Sequence, residues 1–381
     1  MRGLARGGLA VAVLVVGGVV AGCSDAAGAH DPEISISRSS CGQGWTDPKP
    51  GPQTFLLHNT GSVTAEAYLV DPASGTVYGE VEGLGAGTTR PLQVTLGNGD
   101  YAFKCLPEET AAIVGPVAKV TGGDEKSSPG VAPVTNADLI GPLKTYRDHV
   151  IAGLGTLVDG TGALKAAVAR QDRAASQAAW LTAHLSYERL GAAYDAFGDS
   201  DGTLNGTATD VTDPEFTGFH RLEHGLWHDE AMDALTPVAN RLDDDAHALR
   251  QSFPDAQVDQ ADLGLRAHEI MENTLQFELT AKTDYGSGTN LATALANLDG
   301  TRAVLDVLRP LLTPRFPGLS GVDTWLNRTQ SAVEGARRPD GSWTPIARLT
   351  VPQRQKLNGD VSELAERLAP IAAIAEPRRV S

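Results

Sequence analysis

Gly218-Phe219-His220-Arg221-Leu222-Glu223-His224-Gly225-Leu226-Trp227 reads as one short helix. Leu222 and Leu226 stand one turn apart, Trp227 follows, and nothing in the run breaks a helix. On such a helix His220 and Glu223 occupy positions i and i+3, so their side chains share a face. An imidazole nitrogen and a carboxylate placed in this way can hold one metal ion from a rigid backbone. The plainer reading is a partly buried helix whose His and Glu only hydrogen-bond. The rest of the chain bears on the choice.

Around this run the pattern is helical from Ala137 almost to the end. Candidate helices cover roughly 138–170, 174–197, 215–234, 237–252, 257–283, 290–312, 322–336 and 351–374. Breaks fall at Asp199-Ser200-Asp201-Gly202, Phe253-Pro254, Gly286-Ser287-Gly288, Pro310 through Pro317, and Pro339-Asp340-Gly341. Eight helices with short connections predict two four-helix bundles side by side. No repeat at a fixed short period points to a solenoid.

Three further segments of this region carry acids that a metal site can use. Trp180, Tyr187 and Tyr194 recur every seven residues and mark a core face. Glu188 lies about 80° from Trp180 at ~100° per residue, at the edge of that face. A carboxylate there must be paired, protonated or metal-bound if it is buried. An ion pair with a neighbouring Arg is the plain alternative. In Ala267-His268-Glu269-Ile270-Met271-Glu272-Asn273-Thr274-Leu275-Gln276-Phe277-Glu278, apolar residues cover most of the circumference. Glu269, Glu272, Asn273 and Gln276 share one narrow polar arc, which in so apolar a helix points to an internal site. Asp199 and Asp201 sit in a turn before the His220 helix, where a turn or helix-end role competes with a ligand role.

The N-terminus is a targeting segment. Arg2 and Arg6 precede an apolar run from Leu9 to Val20, followed by Val20-Ala21-Gly22-Cys23. The run is shorter than the ~20 residues of a spanning helix and fits a signal peptide over residues 1–22. Small residues directly before a cysteine resemble a bacterial lipobox, so Cys23 is the expected lipidated residue and 23–32 the tether. Removing residues 1–22 takes two arginines and no acid, leaving 29 basic against 47 acidic residues and a formal net charge of −18. Such a surface repels phosphate backbones and argues against a nucleic-acid partner. Scarce aromatics and abundant Ala favour small-residue helix packing.

Cys41 and Cys105 then remain, and in an extracytoplasmic setting such a pair reads as a disulfide. They bracket a region, residues 33–120, whose short alternating segments and regular turns indicate a small β-sandwich. Its Gly99-Asp100-Tyr101-x-Phe103-x-Cys105 ending resembles the last strand of a cupredoxin-like domain. Blue copper needs two His, one Cys and usually a weak axial Met. This region has only His58 and no Met, so the disulfide ranks ahead of a copper site built from cysteine, His58 or Glu66. Residues 121–136 form a linker by composition, and 137–381 the helical domain.

Gly218-Phe219-His220-Arg221-Leu222-Glu223 is similar to the G-x-H-x-x-E signature of the imelysin-like proteins. Leu185 through Tyr194, Ala267 through Leu279 and Asp284-Tyr285-Gly286-Ser287-Gly288 resemble other blocks of the same family. A cupredoxin-like domain ahead of an imelysin-like domain resembles the EfeO type of bacterial iron-uptake component. That resemblance implies a mainly α protein, a double four-helix bundle preceded by a small β-sandwich. It also implies iron as cargo, with zinc or copper as alternatives, and a membrane permease and a haem peroxidase as partners. The location implied is that of an exported lipoprotein on the outer face of the cytoplasmic membrane. The metal site it implies joins His220 and Glu223 with Glu188, Glu269 and Asp201.

An enzyme reading competes. His220-x-x-Glu223-His224 also matches the inverted zincin spelling, with His220 and His224 on zinc and Glu223 as base. It needs a third ligand, Glu269 or Glu272, and an open position for water. The oxygen-rich set of supporting acids suits iron, manganese or zinc without indicating hydrolysis.

Overall fold

In the computed structural model, which describes residues 31–380, the alternating N-terminal segments pair into two sheets. The expected leader at 1–22, Cys23 and nearly all of the tether at 23–32 lie outside the described residues. One sheet joins β1 (Glu33–Ile36), β2 (Cys41–Gln43), β3 (Gly51–Asn59) and β6 (Thr89–Leu96) in the order β2-β1-β3-β6. The other joins β4 (Ala65–Val70), β5 (Val77–Leu84), β7 (Gly99–Pro107) and β8 (Ile113–Val114) in the order β5-β4-β7-β8, with β9 (Ala118–Val120) also on β7. β1 runs parallel to β3, and the remaining ladders are antiparallel. Alternation aims Ile34, Ile36, Phe55, Leu57, Ala67, Leu69 and Phe103 into a shared core. Trp45 meets Phe55 and Phe103 there edge-on, at 5.1 and 5.0 Å between ring centres. Across this core Cys41 of β2 and Cys105 of β7 are joined in a disulfide, their Cα atoms 5.7 Å apart.

Residues 121–135 form no regular element and run back along the sandwich. The Ser128 N–H donates to the Thr95 carbonyl, the Thr95 N–H donates to Ser128 Oγ, and the Tyr101 hydroxyl meets Ser127 Oγ at 2.6 Å. This stretch is therefore laid on the sheet domain by named hydrogen bonds.

Thr135 and Asp138 close a capping box that starts α1 (Asn136–Ala169). Asp172 caps α2 (Arg173–Glu188), and a 3₁₀ turn, α3 (Tyr194–Phe197) and α4 (Asp199–Asn205) follow. Then come α5 (Gly218–Trp227), α6 (Met232–Ser252) and α7 (Asp262–Asn273), which continues into a π turn over Thr274–Glu278. α8 (Asn290–Leu312), α9 (Leu319–Glu334) and α10 (Val351–Ala375) complete the chain. α1, α2, α5 and α6 pack together, as do α7, α8, α9 and α10, and α8 joins the two groups through α1 and α2. One apolar core runs through both. Among the described residues no helix is long and apolar enough to cross a membrane.

Several helix boundaries differ from the sequence expectation: 215–234 splits between α5 and α6, 257–283 shortens to α7 and its π turn, and two differences bear on the site. The segment 174–197 is not one helix, because α2 stops at Glu188 and the chain turns through 3₁₀ geometry at Gly191–Ala193. The seven-residue aromatic spacing could not reveal this. Tyr194 folds back to stack on Tyr187 at 4.9 Å, so it rejoins the same cluster from a new element. Conversely, Asp199–Gly202 is no break but the first turn of α4, where two acids face the favourable end of the helix dipole.

The C-terminal tail ties the two domains together. Arg378 donates from Nε and Nη2 to both oxygens of Glu80 on β5, at 2.7 Å each. Lys104 of β7 donates to the Val380 carbonyl at 2.7 Å.

Candidate metal centre

The placement of α5 starts with Gly218. Its φ is +77°, and a Cβ there would lie 2.2 Å from the Leu204 carbonyl oxygen, so only glycine lets α5 begin against the end of α4. Trp180 Nε1 donates to the Phe219 carbonyl at 2.8 Å and locks α5 to α2. Phe219, Leu222 and Leu226 are fully buried, and His220 and Glu223 are buried with them at 2% and 1% exposure. The helix is thus buried along the face that carries His220 and Glu223, while Arg221 and His224 stay partly exposed.

His220 Nδ1 stands 3.3 Å from Glu223 Oε2. The other Glu223 oxygen accepts from Ser287 Oγ at 2.6 Å and from the backbone N–H groups of Tyr285 and Ser287 at 3.1 Å each. Burial alone would raise the Glu223 carboxyl, but the His220 contact and the Ser287 donors hold it below the usual carboxylate range. An ionised carboxylate on Nδ1 leaves Nε2 as the imidazole nitrogen free for a ligand, the arrangement by which buried metal-binding histidines are oriented.

His220 lines a cavity of about 320 Å³ together with Glu188, Asp201 and Glu278. Tyr194, Asn205, Asn273 and Asn297 also face it, and none of the residues lining it is a Lys or an Arg. Glu188, the last residue of α2, accepts from His184 Nε2 at 3.0 Å and from Asn205 Nδ2 at 2.8 Å. Burial pushes its carboxyl up, yet these two partners more than offset it and carry the group below its ordinary value. Asp201 on α4 accepts from the Tyr187 hydroxyl, and burial moves its carboxyl upward. Glu278 closes the π turn and accepts from Thr283 Oγ1 at 2.7 Å and Asn290 Nδ2 at 2.9 Å. Burial, then the neighbouring Glu188 charge, push Glu278 up to about 7. Two polar atoms in the surrounding shell, His184 Nδ1 and Asn290 Oδ1, are buried without a partner.

Four of the sequence-derived site residues therefore meet here, three of them on the cavity wall and Glu223 behind His220. Glu269 does not join them. It sits on the outer side of α7 in an ion pair with Arg266, and Glu272 pairs with His268 at 3.2 Å. His224 also faces away, its ring stacked on His228 at 4.3 Å. Glu278 takes the place expected for Glu269. Its signal was present in the sequence, since Ala267, Met271, Thr274 and Glu278 form one i, i+4, i+7, i+11 row and all four are buried. A carboxylate in an otherwise apolar row is the stronger mark of an internal site than an acid in a polar arc.

Among the described residues no three His, Cys, Asp or Glu side chains already converge closely enough to hold one ion. The acids are instead held apart on Asn, Thr, Tyr and His partners. Three carboxylates and an imidazole, with no basic residue among the cavity's lining, make an enclosure whose chemistry favours a cation. In the sandwich, His58 pairs with Glu33 at 3.1 Å, and Glu66 accepts from Tyr68 and stands 3.4 Å from Arg379.

A double helical bundle with this buried His-x-x-Glu helix defines a class. The imelysin family profile matches residues 142–371, and the chain belongs to the imelysin family. More particularly, it is similar over nearly its whole length to proteins named iron uptake system component EfeO. The Yersinia pseudotuberculosis serotype I relative is 26% identical over 347 residues, 90% of each chain. Those of Escherichia coli strain K12 and Yersinia pestis are each 25% identical over 356 residues, 92% of this chain and 93% of theirs. The resemblance carried by the Gly218–Glu223 motif is borne out.

Proposed function

We propose that this protein binds iron in the cavity between α2, α4, α5, the π turn and α8 and passes it to a membrane permease. The observation that carries the proposal is the meeting of Glu188, Asp201, Glu278 and His220 around one cavity whose lining holds no Lys or Arg. Relatives covering nine-tenths of the chain and named as iron uptake components point the same way. In this reading His220 Nε2 and the three carboxylates are the ligands, and Glu223 positions the imidazole. An arriving cation supplies the counter-charge that Glu278 and Asp201 otherwise lack, drawing Glu278 from Asn290 and Glu188 from His184 and Asn205. Oxygen donors with one imidazole suit ferrous or ferric iron, with zinc or copper as weaker alternatives.

Equilibrium iron titration tests this directly. His220→Ala and Glu278→Ala should each weaken binding by roughly tenfold or more, whereas His224→Ala and Glu269→Ala should leave it unchanged. Equal loss in His224→Ala would instead favour the inverted-zincin reading, which a protease assay on the zinc-loaded protein would then have to support.

The same proposal places the protein outside the cytoplasm, anchored through acyl chains on Cys23, beside a permease and a haem peroxidase. The sandwich is read as cupredoxin-like, held by its disulfide. Cys23→Ser should move the protein from the membrane fraction to the soluble one. Retention in membranes with an uncut leader would make residues 1–22 the anchor instead.

A further inference from the structure

The His-x-x-Glu-His spelling leaves one residue unused by the cavity, His224, and its position has a consequence of its own. His224 and His228 stand at i and i+4 at the end of α5, and the backbone N–H of His228 still donates to the His224 carbonyl at 3.0 Å. The two rings face each other at 4.3 Å with 20° between their planes. His228 is exposed and His224 partly so. His228 Nδ1 lies 2.9 Å from the His224 carbonyl oxygen, which can only accept. That bond places the proton on Nδ1 and leaves the Nε2 lone pair of His228 free.

We propose that His224 and His228 form a second metal site, a surface clamp for a divalent cation of borderline softness, Cu²⁺ ahead of Zn²⁺. Two imidazoles one helical turn apart are spaced to share one ion, as paired histidines do on zinc-binding helices. The ring stack opens by rotation of the His224 ring about χ2, a broad sp³–sp² torsion, with His228 kept on its Nδ1 bond, so that both lone pairs reach one cation. Nearby oxygen donors are committed elsewhere or free in solvent. Both Glu230 oxygens accept from Arg221 at 2.8 Å, and Asp229, its side chain 93% exposed, stands 3.8 Å from Arg173 Nε. An all-nitrogen protein ligand pair suits copper and zinc and offers little to iron or manganese, whereas the oxygen-rich cavity suits iron and manganese as well. The clamp is therefore chemically distinct from the cavity, although His220, His224 and His228 occupy one i, i+4, i+8 row of α5 and its end.

The test is a Cu²⁺ titration of the purified, untagged protein, read by equilibrium binding and by electron paramagnetic resonance. One copper equivalent with two coordinated imidazole nitrogens is expected. His224→Ala and His228→Ala should each weaken it by roughly tenfold or more and reduce the nitrogen count to one, with helical content unchanged. His220→Ala should keep this equivalent even as cavity iron is lost, so failure of the clamp and failure of the iron site are separable. A double His224→Ala, His228→Ala variant that binds the same equivalent with the same spectrum would overturn the proposal. A wild-type spectrum with one imidazole or none would do so too, and would leave the pair as a stacked cap on α5.

Discussion

Glu278 is an acid in an apolar row, and its environment makes it costly when charged. Burial and the facing Glu188 carboxylate lift it from its ordinary 4.5 to about 7. The sign follows from linkage. Between those values the unfolded chain has released this proton while the folded chain still holds it, so stability falls as pH rises from about 4.5 to 7. The loss amounts to roughly 3 kcal/mol at most above that window. Glu278→Gln stays neutral, so the metal-free variant should be more stable than wild type at pH 8 and nearly equal to it at pH 4. Urea unfolding at both pH values checks this, and identical pH dependence in the two proteins would refute it. The excess stability of the variant should vanish when iron is present, because only wild type then gains the ligand bond. Across the cavity His220 shows the complementary logic: Glu223 is kept ionised by Ser287 and the 285–287 backbone, and so holds the ring for its task.

At the scale of elements, the π turn at Thr274–Glu278 sets how Glu278, on the buried row of Ala267, Met271 and Thr274, meets the cavity. One extra residue in the turn rotates everything after it, and such turns gather at functional sites. Glu278 reaches the cavity from this turn, while Glu269 and Glu272 stay on the outer, ion-paired side of α7. Deleting Gln276 should restore α geometry and turn Glu278 off the cavity wall. Iron affinity should then fall as far as in Glu278→Ala, with helical content preserved by circular dichroism. Unchanged affinity in a folded deletion variant would remove Glu278 from the ligand set. The neighbouring elements show the same dependence on a single residue, since α5 can start beside α4 only with Gly218 at its first position.

For the whole molecule, the sandwich and the bundles have separate cores, tied by the Arg378–Glu80 fork with the tail around it and by Arg315 bonds to the Ala132 and Pro133 carbonyls. The disulfide belongs to the sandwich alone, closing a separation of 64 residues. Its reduction should destabilise that domain by ~4 kcal/mol on the chain-entropy account. Calorimetry of the reduced protein should therefore show a sandwich transition displaced to lower temperature and the bundle transition in place. Iron affinity should be unchanged, because every proposed ligand lies from Glu188 onward. A drop in affinity on reduction would mean that the sandwich contributes to the iron site.

The sequence by itself determined the mainly helical class, the β region ahead of it and the family, because periodicity, turn residues and a short motif are local properties. It also placed His220, Glu223, Glu188, Asp201 and Glu269 in one set, through a resemblance rather than through spacing. Only the tertiary structure decided which acids complete the cavity. Helical-wheel reasoning assumes 3.6 residues per turn and one continuous axis, and α2 ends at Glu188 while α7 gains a π turn. It also treats a polar arc as the side facing a site, whereas Arg266 and His268 draw Glu269 and Glu272 to the outside. Which carboxylates face one another across 320 Å³ depends on how three separate elements are placed. That is a property of packing, and no single segment carries it.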